Sequence, residues 1–378
     1  MPSTQTTTST LHAADPDEAI DATAAPTAEE FADRVLTATL GWVEMMSIHL
    51  GDQLGWYEVL SLHDSITASE LAFRTSSSTR YAHEWLEQQA AYGILAVVET
   101  ADAPAKRRYA LPSGAAEVLT DRRSQAYMAP MARILAAAAA QMPALVDAYR
   151  AGTGVSWAQF GDHAWQSQAD LNRPWLGEVP TVFARHQRLH KTLSRPGARI
   201  ADVGTGAGWS AIALAKAYPG LMVEGFDVDA PSIEAARAQA DRSGVADRVT
   251  FHLADAASLA DHGSFDGVVA FECIHDMPDP ESVLEAMRRA VTADGFVVVM
   301  DEAVAEEFEA DAGPVERLMY GFSLFICLPD GLSHETSAAT GTVMRPSTLR
   351  RYATAAGFSD VSVLEDDFGF WRFYDLHQ

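Results

Sequence analysis

The stretch Arg199-Ile-Ala-Asp-Val-Gly-Thr-Gly-Ala-Gly208 joins a short apolar run to a glycine-rich loop, and a helical pattern begins directly afterwards. Glycines at such a junction let the backbone turn sharply and approach a ligand at the carboxyl end of a sheet. Dinucleotide-binding loops have the spacing G-x-G-x-x-G, whereas Gly204, Gly206 and Gly208 follow G-x-G-x-G. The junction therefore predicts an α/β sheet with a ligand-binding loop that lacks the dinucleotide fingerprint.

The alternation of apolar runs and helical patterns continues downstream of this loop. The further runs are Met222–Phe226, Val249–Leu253, Gly267–Phe271 and Phe296–Met300, and the helical patterns are Ser210–Tyr218, Ser232–Ser243 and Pro280–Val291. Strands that are apolar on both faces and joined by helices predict a parallel, doubly wound, Rossmann-like α/β sheet. Two last runs, Val361–Leu364 and Phe370–Tyr374, predict an antiparallel hairpin at one edge of that sheet. Residues 303–343 form an insertion, which we expect to be a lid over the carboxyl ends of the strands.

The N-terminal half of the sequence is mostly helical in pattern. Apolar residues recur at helical spacing from Phe31 to Leu62 and predict one long helix. The pattern helix, turn, helix and two-stranded wing then predicts a winged-helix domain over residues 31–112. Residues 113–194 predict a helical linker, and residues 1–30, rich in Thr, Ala, Ser, Asp and Pro, predict a disordered tail. The α/β domain then covers residues 195–378.

Charge and cysteine content narrow the classes of partner. Acidic residues outnumber basic residues 52 to 27, a net charge of -25 that repels nucleic acid and anionic membranes. In the second helix of the predicted winged helix, the basic residue Arg80 is accompanied by the acidic residues Glu84 and Glu87. This charge balance favours dimerisation over DNA binding. Cys273 and Cys327 are too few for a disulfide framework and lack the neighbours of a zinc site. No apolar run approaches the ~18 residues of a membrane span, so we predict a reduced, cytoplasmic protein without a metal.

Carboxylates at the ends of the next two strands extend the predicted ligand site. Asp227 ends the second strand, where an acid accepts hydrogen bonds from both ribose hydroxyls. Asp255 ends the third strand, where a carboxylate can accept from the exocyclic amine of adenine. An adenosine along three strands, with a loop sized for a short tail, suggests S-adenosylmethionine. The predicted cofactor-binding residues are Asp202, Gly204, Thr205, Gly206, Gly208, Asp227, Val228, Asp255, Ala256 and Glu272. Each acid also has a plainer interpretation as a helix or turn cap.

The fourth strand runs into a polar loop that contains a histidine. His275 follows this strand at the rim of the sheet, beside the predicted position of the sulfonium. A lone histidine is usually structural, but Glu272, Asp276 and Asp301 also belong to this rim. His275 is therefore a candidate general base.

The stretch Asp202–Glu302 resembles a class I S-adenosylmethionine-dependent methyltransferase. The whole chain resembles the actinobacterial winged-helix methyltransferases. The stretches that carry this resemblance are Ser77–Gln89, Phe271–Met277, Arg317–Phe322 and Thr340–Pro346. The architecture is also similar to that of dimeric small-molecule O-methyltransferases of plants and bacteria, which implies a homodimer formed through the winged helix.

This resemblance also implies roles for individual residues. His275-Asp276 match the pair that supplies the base in those enzymes, and Asp301 falls where a carboxylate orients the histidine. Those enzymes carry a second orienting glutamate shortly before the last helix, where this sequence has Val343-Met-Arg345. A tryptophan usually follows their His-Asp pair, and here that residue is Met277.

The sequence thus predicts a homodimeric enzyme that methylates an oxygen of a small aromatic or lipophilic molecule. His275 and Asp301 are its catalytic candidates, and the apolar segment Leu318–Leu328 is expected to cover the acceptor. Two alternatives remain open. The first is an enzyme of this fold that binds the cofactor but catalyses another reaction. The second is a cofactor-sensing regulator that binds DNA through its winged helix.

Overall fold

Helix α1 runs from Ala28 to Gln53 in the computed structural model, which describes residues 25–99 and 103–378. Most of the predicted tail, residues 1–30, lies outside the described residues. Its last three residues belong to α1, so the helix begins earlier than predicted. The chain separates into two compact units, one that ends at residue 45 and one that begins at residue 46.

The helix predicted to continue to Leu62 is in fact two helices. Gly55 has a left-handed backbone conformation, with φ at +65°, and α2, Trp56–Ser61, begins directly after it. A residue with positive φ cannot continue a right-handed helix. The break turns the buried Trp56 ring edge-on to Trp85, with the ring centroids 4.8 Å apart.

Two short helices and an antiparallel strand pair follow. They are α3 Ala68–Arg74, α4 Thr79–Ala91, β1 Ala96–Glu99 and β2 Arg108–Ala110. Thr67 and Glu70 form a reciprocal capping box at the start of α3. Ile66 and Tyr109 exchange backbone hydrogen bonds, so the strand pair is tied to the residues that precede α3. These elements occur in the order that the winged-helix pattern predicts.

Seven helices then lead to the sheet. They are α5 Ser113–Thr120, α6 Ala129–Ala140, α7 Met142–Ala151, α8 Trp157–Phe160, α9 Asp162–Leu176, α10 Val179–Arg185 and α11 Gln187–Leu193. The buried Arg133 of α6 pairs with Asp52 and Asp170, each at 3.1 Å, and so joins three helices. Over residues 25–99 and 103–378, no single helix is long and apolar enough to cross a membrane. The bent pair of α6 and α7, taken together, matches a membrane span in length and composition alone.

A seven-stranded sheet forms the centre of the C-terminal part. Its strands are β3 Arg199–Val203, β4 Met222–Asp227, β5 Val249–Leu253, β6 Phe265–Phe271, β7 Val291–Glu302, β8 Asp360–Val363 and β9 Trp371–His377. They lie in the order β5-β4-β3-β6-β7-β9-β8. The first five are parallel, and β9 is antiparallel to both β7 and β8. The predicted antiparallel hairpin is present at the edge, with β9 inserted between β7 and β8.

Helices cover both faces of this sheet. They are α12 Trp209–Ala217, α13 Ala230–Ser243, α14 Pro280–Ala290, α15 Pro314–Phe322, α16 Leu328–Gly331 and α17 Pro346–Ala355. Neighbouring residues of β6 belong to opposite cores, because Val269 packs with α10 to α12 while Val268 packs with α14 and α17. The carboxyl ends of the parallel strands therefore meet at one rim, where ligands of such sheets bind.

Candidate active site

The glycine loop is held by a carboxylate at the end of β4. Gly206 donates its backbone N–H to Asp227 Oδ2 at 2.8 Å, and the backbone N–H of Asp229 donates to Oδ1 at 2.9 Å. Burial raises the pKa of Asp227. A Cβ atom at Gly206 would meet nothing within 4 Å, so the loop backbone faces open space there. The loop thus offers an open cradle next to a buried acid, which fits an adenosine-bearing cofactor.

Asp202 shapes this loop from beneath. Its side chain is buried, and Oδ2 accepts hydrogen bonds from Thr205 Oγ1 at 2.8 Å and from Ser210 Oγ at 2.5 Å. Burial raises the pKa of Asp202 to about 6. Both side chains are therefore engaged within the loop, and a contact of Asp202 or Thr205 with the cofactor stays a prediction.

The other loop glycines are required by close packing. A Cβ atom on Gly204, whose φ is +65°, would lie 2.6 Å from Cys273 Sγ. A Cβ atom on Gly208 would lie 2.6 Å from the ring of Phe251. The loop therefore rests directly on side chains from β5 and from the residues that follow β6.

The predicted adenine side of the site is exposed. Val228 is 71% exposed directly after β4, and the exposed Asp255 follows β5. Asp255 Oδ1 accepts from the backbone N–H of Ala257 at 2.8 Å and caps a 3-10 helix, Ala256–His262, as its plainer interpretation predicts. Its second oxygen has no hydrogen-bond partner in the described part of the chain, which leaves one acceptor for a ligand.

Glu272 marks the junction between the cofactor loop and the histidine. It is a non-glycine residue with φ at +53°, a strained conformation that is typical of functional sites. Its Oε1 accepts from Gln168 Nε2 of α9 at 3.1 Å, a contact that the sequence did not predict. Burial raises the pKa of Glu272 to about 7.

His275 lies in a short 3-10 helix, Ile274–Asp276, directly after β6. Its Nδ1 is 2.9 Å from Asp301 Oδ1 at the end of the adjacent strand β7. Because the Nδ1–H donates to Asp301, we assign the lone pair to Nε2 in the neutral ring. The structure thus brings together the two residues that the sequence proposed as the base and its orienting carboxylate.

Glu302 supplies a second carboxylate to the same ring nitrogen. Its Oε2 lies 3.3 Å from His275 Nδ1, and its side chain is 2% exposed. Similar enzymes carry a second orienting glutamate where this sequence has Val343-Met-Arg345. In the structure Arg345 pairs with Glu316 at 2.8 Å and binds the backbone of the insertion instead. The adjacency of two acids at the end of β7 was the signal for this role of Glu302.

The charges in this cluster depend on each other. Although burial lowers it, the carboxylates of Asp276, Asp301 and Glu302 raise the pKa of His275 well above its ordinary value. Burial raises the pKa of Glu302 well above its ordinary value. Against the effect of burial, His275 holds the pKa of Asp301 below its ordinary value. The cluster therefore favours the protonated form of His275 beside the Asp301 carboxylate and disfavours the charged form of Glu302.

Several buried carboxylate oxygens in this cluster lack a hydrogen-bond partner among the described residues. They are Glu272 Oε2, Asp276 Oδ1, Asp301 Oδ2 and Glu302 Oε2. A buried acceptor without a donor costs about 1–3 kcal/mol. Native proteins retain such groups where a ligand, an ion or catalysis requires them. The cluster is therefore suited to a ligand that brings hydrogen-bond donors or positive charge.

The predicted insertion reaches the histidine through Cys327. Cys327 ends a π-helical turn, Ser323–Cys327, a distortion that is frequent at functional sites. Polar atoms of His275, Asp276 and Cys327 lie within 4.8 Å of one another. Burial raises the pKa of the Cys327 thiol, so it stays neutral. Within the expected roof, Leu324 and Phe325 are 44% and 38% exposed, so Cys327 is its clearest contribution to the site.

The insertion is fixed to the helical linker. The backbone N–H of Val155 donates to the Pro329 carbonyl at 2.9 Å, and that of Trp157 donates to Asp330 Oδ1 at 2.7 Å. A Cβ atom on Gly154 would lie 2.1 Å from the Pro329 oxygen, so the two segments touch through their backbones. The insertion and the linker, two segments that are distant in sequence, are therefore in direct contact.

Three groups in the described structure bring cation-ligating atoms together. Two of them share His275, one with Asp301 and Glu302 and the other with Asp276 and Cys327, and the third combines Glu224, His252 and His262. Glu224 already pairs with Arg199 and, at 3.1 Å, with His252. In the groups that contain His275, Nδ1 of the histidine already donates to Asp301. The absence of a metal stays a prediction.

Sequence comparison relates the chain to known enzymes. Residues 194–323 match a family model described as a methyltransferase domain. Over 190 residues the chain is 32% identical to the 27-O-demethylrifamycin SV methyltransferase of Amycolatopsis mediterranei (strain S699). That match covers 46% of this chain and 70% of the relative.

Solved structures share the fold over nearly the whole chain. An O-methyltransferase family protein from Burkholderia thailandensis has a TM-score of 0.70 at 16% identity, over 94% of this chain and 99% of its own. The human N-acetylserotonin methyltransferase, solved in complex with SAM, has a TM-score of 0.65 at 18% identity, over 94% and 99% of the two chains. At these identities the likeness establishes the fold, which confirms the predicted α/β sheet with an N-terminal helical region.

Proposed function

Because the chain belongs to the class I S-adenosylmethionine-dependent methyltransferases, we propose that it methylates a hydroxyl group of a small aromatic or lipophilic molecule. The predicted family, enzyme class and cofactor are confirmed by that membership. The buried pair His275–Asp301 carries the proposal of an oxygen acceptor, because a hydroxyl must lose its proton as it is methylated. The name of the Amycolatopsis relative, which denotes an O-demethylated acceptor, supports the same chemistry.

The residues of the loop and rim have separable tasks in this proposal. S-adenosylmethionine supplies an activated methyl group when it is bound. The loop backbone at Gly206 and the carboxylate of Asp227 bind and orient its adenosine part. Positioning of the acceptor then accounts for much of the rate, since the methyl group is already activated.

His275 handles the proton in this proposal. Its Nε2 takes the acceptor's proton, while Asp301 holds the Nδ1–H and stabilises the imidazolium that forms. The surrounding carboxylates raise the pKa of His275 and so disfavour the neutral form that accepts the proton. The proposal therefore requires turnover to increase as the pH rises above neutrality.

A direct test uses methyl-labelled S-adenosylmethionine with extracts of the host and the full chain. Mass spectrometry identifies the metabolite that gains the label, and fragmentation shows whether an oxygen carries it. A labelled oxygen supports the proposal, and a label on nitrogen or carbon contradicts it. Cofactor binding without any labelled product would favour the enzyme of another reaction class.

We also propose the assembly and location that the sequence predicts. Five apolar side chains of α1 are 44–57% exposed: Phe31, Val35, Leu36, Trp42 and Val43. Their spacing places them on one broad face, which suits a helix–helix contact in a homodimer. The partition into a winged-helix domain, a helical linker and a methyltransferase domain with a lid remains part of this proposal. Two free cysteines agree with a reducing, cytoplasmic location.

Light scattering on the eluting protein tests the dimer. We expect twice the mass of the chain for the wild type at micromolar concentration. The double substitution Leu36→Asp/Val43→Asp is expected to give the mass of one chain, with the folded-state circular dichroism retained. A wild type that elutes with the mass of one chain would contradict the dimer.

A further inference from the structure

A second cleft, of about 810 Å³, lies between α9 and the outer faces of α12 and α13. Its lining shares no residue with the cluster around His275. Six cationic side chains line it: Arg122, Arg123, Arg133, Arg173, Lys216 and Arg242. This concentration of positive charge is unexpected in a chain whose net charge is -25.

Most of these cations are not neutralised by the protein. Arg133 pairs with Asp52 and Asp170, but the other five form no ion pair within residues 25–99 and 103–378. Lys216 only reaches Ser243 Oγ, at 3.2 Å, and the Arg173 guanidinium lies 4.5 Å from the centre of the Trp209 ring. Acidic residues exceed basic residues in this chain, so unpaired arginines are not the result of a shortage of carboxylates.

The acids that line the cleft leave its charge positive. Asp52 and Asp170 are both engaged by Arg133, and Glu58 is the third carboxylate of the lining. Five uncompensated cations therefore face one uncompensated acid. Because the rest of the chain repels anions, an anion is attracted mainly to this cleft.

The donors in the cleft match phosphate groups. A guanidinium presents a planar fork of N–H donors that binds phosphate through two parallel hydrogen bonds, and four such groups remain available here. Trp165 and Trp209 add aromatic surface to the lining. The indole N–H of Trp209 is buried and has no acceptor among the described side chains or backbone groups.

We propose that this cleft is a binding site for a small molecule that carries phosphate groups, separate from the site of methyl transfer. Arg122 and Arg123 bind from the loop before α6, and Arg242 and Lys216 bind from the ends of α13 and α12. Trp209 follows Gly208 directly, so the lining of the cleft begins one residue after the cofactor loop. The phosphate groups have two sources, a free inorganic phosphate species or a nucleotide. A nucleotide also brings a base that Trp165 can contact, whereas inorganic phosphate does not.

Titration calorimetry on the full chain tests the site. The probes are pyrophosphate and adenosine diphosphate, at low ionic strength and with saturating S-adenosylhomocysteine, which fills the adenosine site. We expect saturable one-site binding of at least one probe. Arg122→Ala/Arg123→Ala is expected to weaken it by about tenfold or more, and Arg242→Ala by several-fold. The matched control is Arg289→Ala, which removes the same charge from an exposed arginine of α14 without an ion pair in the described chain.

Each outcome decides the proposal. Equal affinity for the two probes supports the site with inorganic phosphate as its ligand, and tighter binding of adenosine diphosphate supports it with a nucleotide. Absence of saturable heat with both probes overturns it, and parallel titrations without S-adenosylhomocysteine show whether the probes then occupy the cofactor site instead. It is also overturned if Arg289→Ala weakens binding as much as the cleft variants.

Discussion

The two halves of the active site differ in how completely their polar groups are satisfied. At the cofactor half, Asp227 accepts two backbone N–H bonds, and Asp202 accepts two hydroxyl bonds from its own loop. At the half proposed for proton transfer, several carboxylates around His275 keep an oxygen without a donor among the described residues. The carboxylates that hold the loop are therefore satisfied within the protein, whereas those around His275 leave acceptors for a ligand.

The two halves should therefore respond differently to substitution. A satisfied network fixes a loop, so changes there should alter binding affinity. An unsatisfied network keeps charges poised, so changes there should alter turnover and its pH dependence. Affinity for the cofactor and the pH profile of turnover are therefore the measurements that distinguish the two halves.

The largest expected effect is on turnover. His275→Ala removes the proposed base, and we expect turnover to fall about 10²–10⁴-fold at neutral pH with nearly unchanged affinity for S-adenosylhomocysteine. The loss should shrink as the pH approaches the pKa of the acceptor, because an ionised acceptor needs no base. His83→Ala, remote from the site, is the control. A small loss at every pH would assign His275 a structural role, and a collapse of cofactor affinity would place it in the cofactor half.

The two carboxylates at Nδ1 of the histidine form a matched pair of tests. Asp301→Asn removes the charge that orients the ring, and we expect a loss of turnover smaller than that of His275→Ala, because the imidazole remains but its orientation and tautomer are no longer fixed. Glu302→Gln replaces a carboxyl whose charged form burial disfavours with a neutral isostere, so its loss should be several-fold smaller. Steady-state kinetics on both variants compares them. Equal losses would mean that Glu302 carries charge in the active enzyme.

The cofactor half should respond through affinity. Asp227→Ala removes an acceptor for the ribose hydroxyls, each such bond contributing about 1.5–3 kcal/mol, so affinity should fall roughly tenfold or more. Calorimetry with S-adenosylhomocysteine measures it. Asp241→Ala, an exposed acid of α13, controls for the change in net charge. Unchanged affinity in the Asp227 variant would show that the adenosine lies elsewhere.

The smallest expected effect is a displacement of the pH profile. Because neighbouring carboxylates raise the pKa of His275, turnover should increase with pH up to and through that raised pKa. Asp276→Asn removes one of these charges, so the rise should begin at lower pH. The sign for stability is opposite, since a histidine with a raised pKa stabilises the fold below its ordinary value of 6.5 and loses that contribution at higher pH. A profile that Asp276→Asn leaves in place would contradict the electrostatic account.

The two halves also differ in how much the sequence could reveal. The loop from Asp202 to Gly208 and the acid at Asp227 lie close to recognisable strand ends, so their juxtaposition follows from parallel pairing alone. The pair of His275 and Asp301 was predictable for the same reason, because β6 and β7 are neighbours. Local patterns therefore predicted the backbone of the site.

Contacts between distant segments were not predictable. Gln168 reaches Glu272 from a helix of the linker, and Cys327 reaches His275 from the insertion. The hydrogen bonds of Asp202 within the loop depend on the hydroxyls of neighbouring residues, which a strand pattern does not orient. The cationic cleft likewise joins helices whose charges are scattered along the sequence.

The position of β9 links the order of synthesis to the order of assembly. This strand lies between β7 and β8 although both precede it in the chain, and it pairs Arg372 with Asp301 and Trp371 with Glu302. While the ribosome makes the segment from residue 303 to 370, the edge of β7 that carries Asp301 and Glu302 is open and can pair with other chains. The nascent protein is therefore exposed to misassembly beside the carboxylate that is proposed to orient His275.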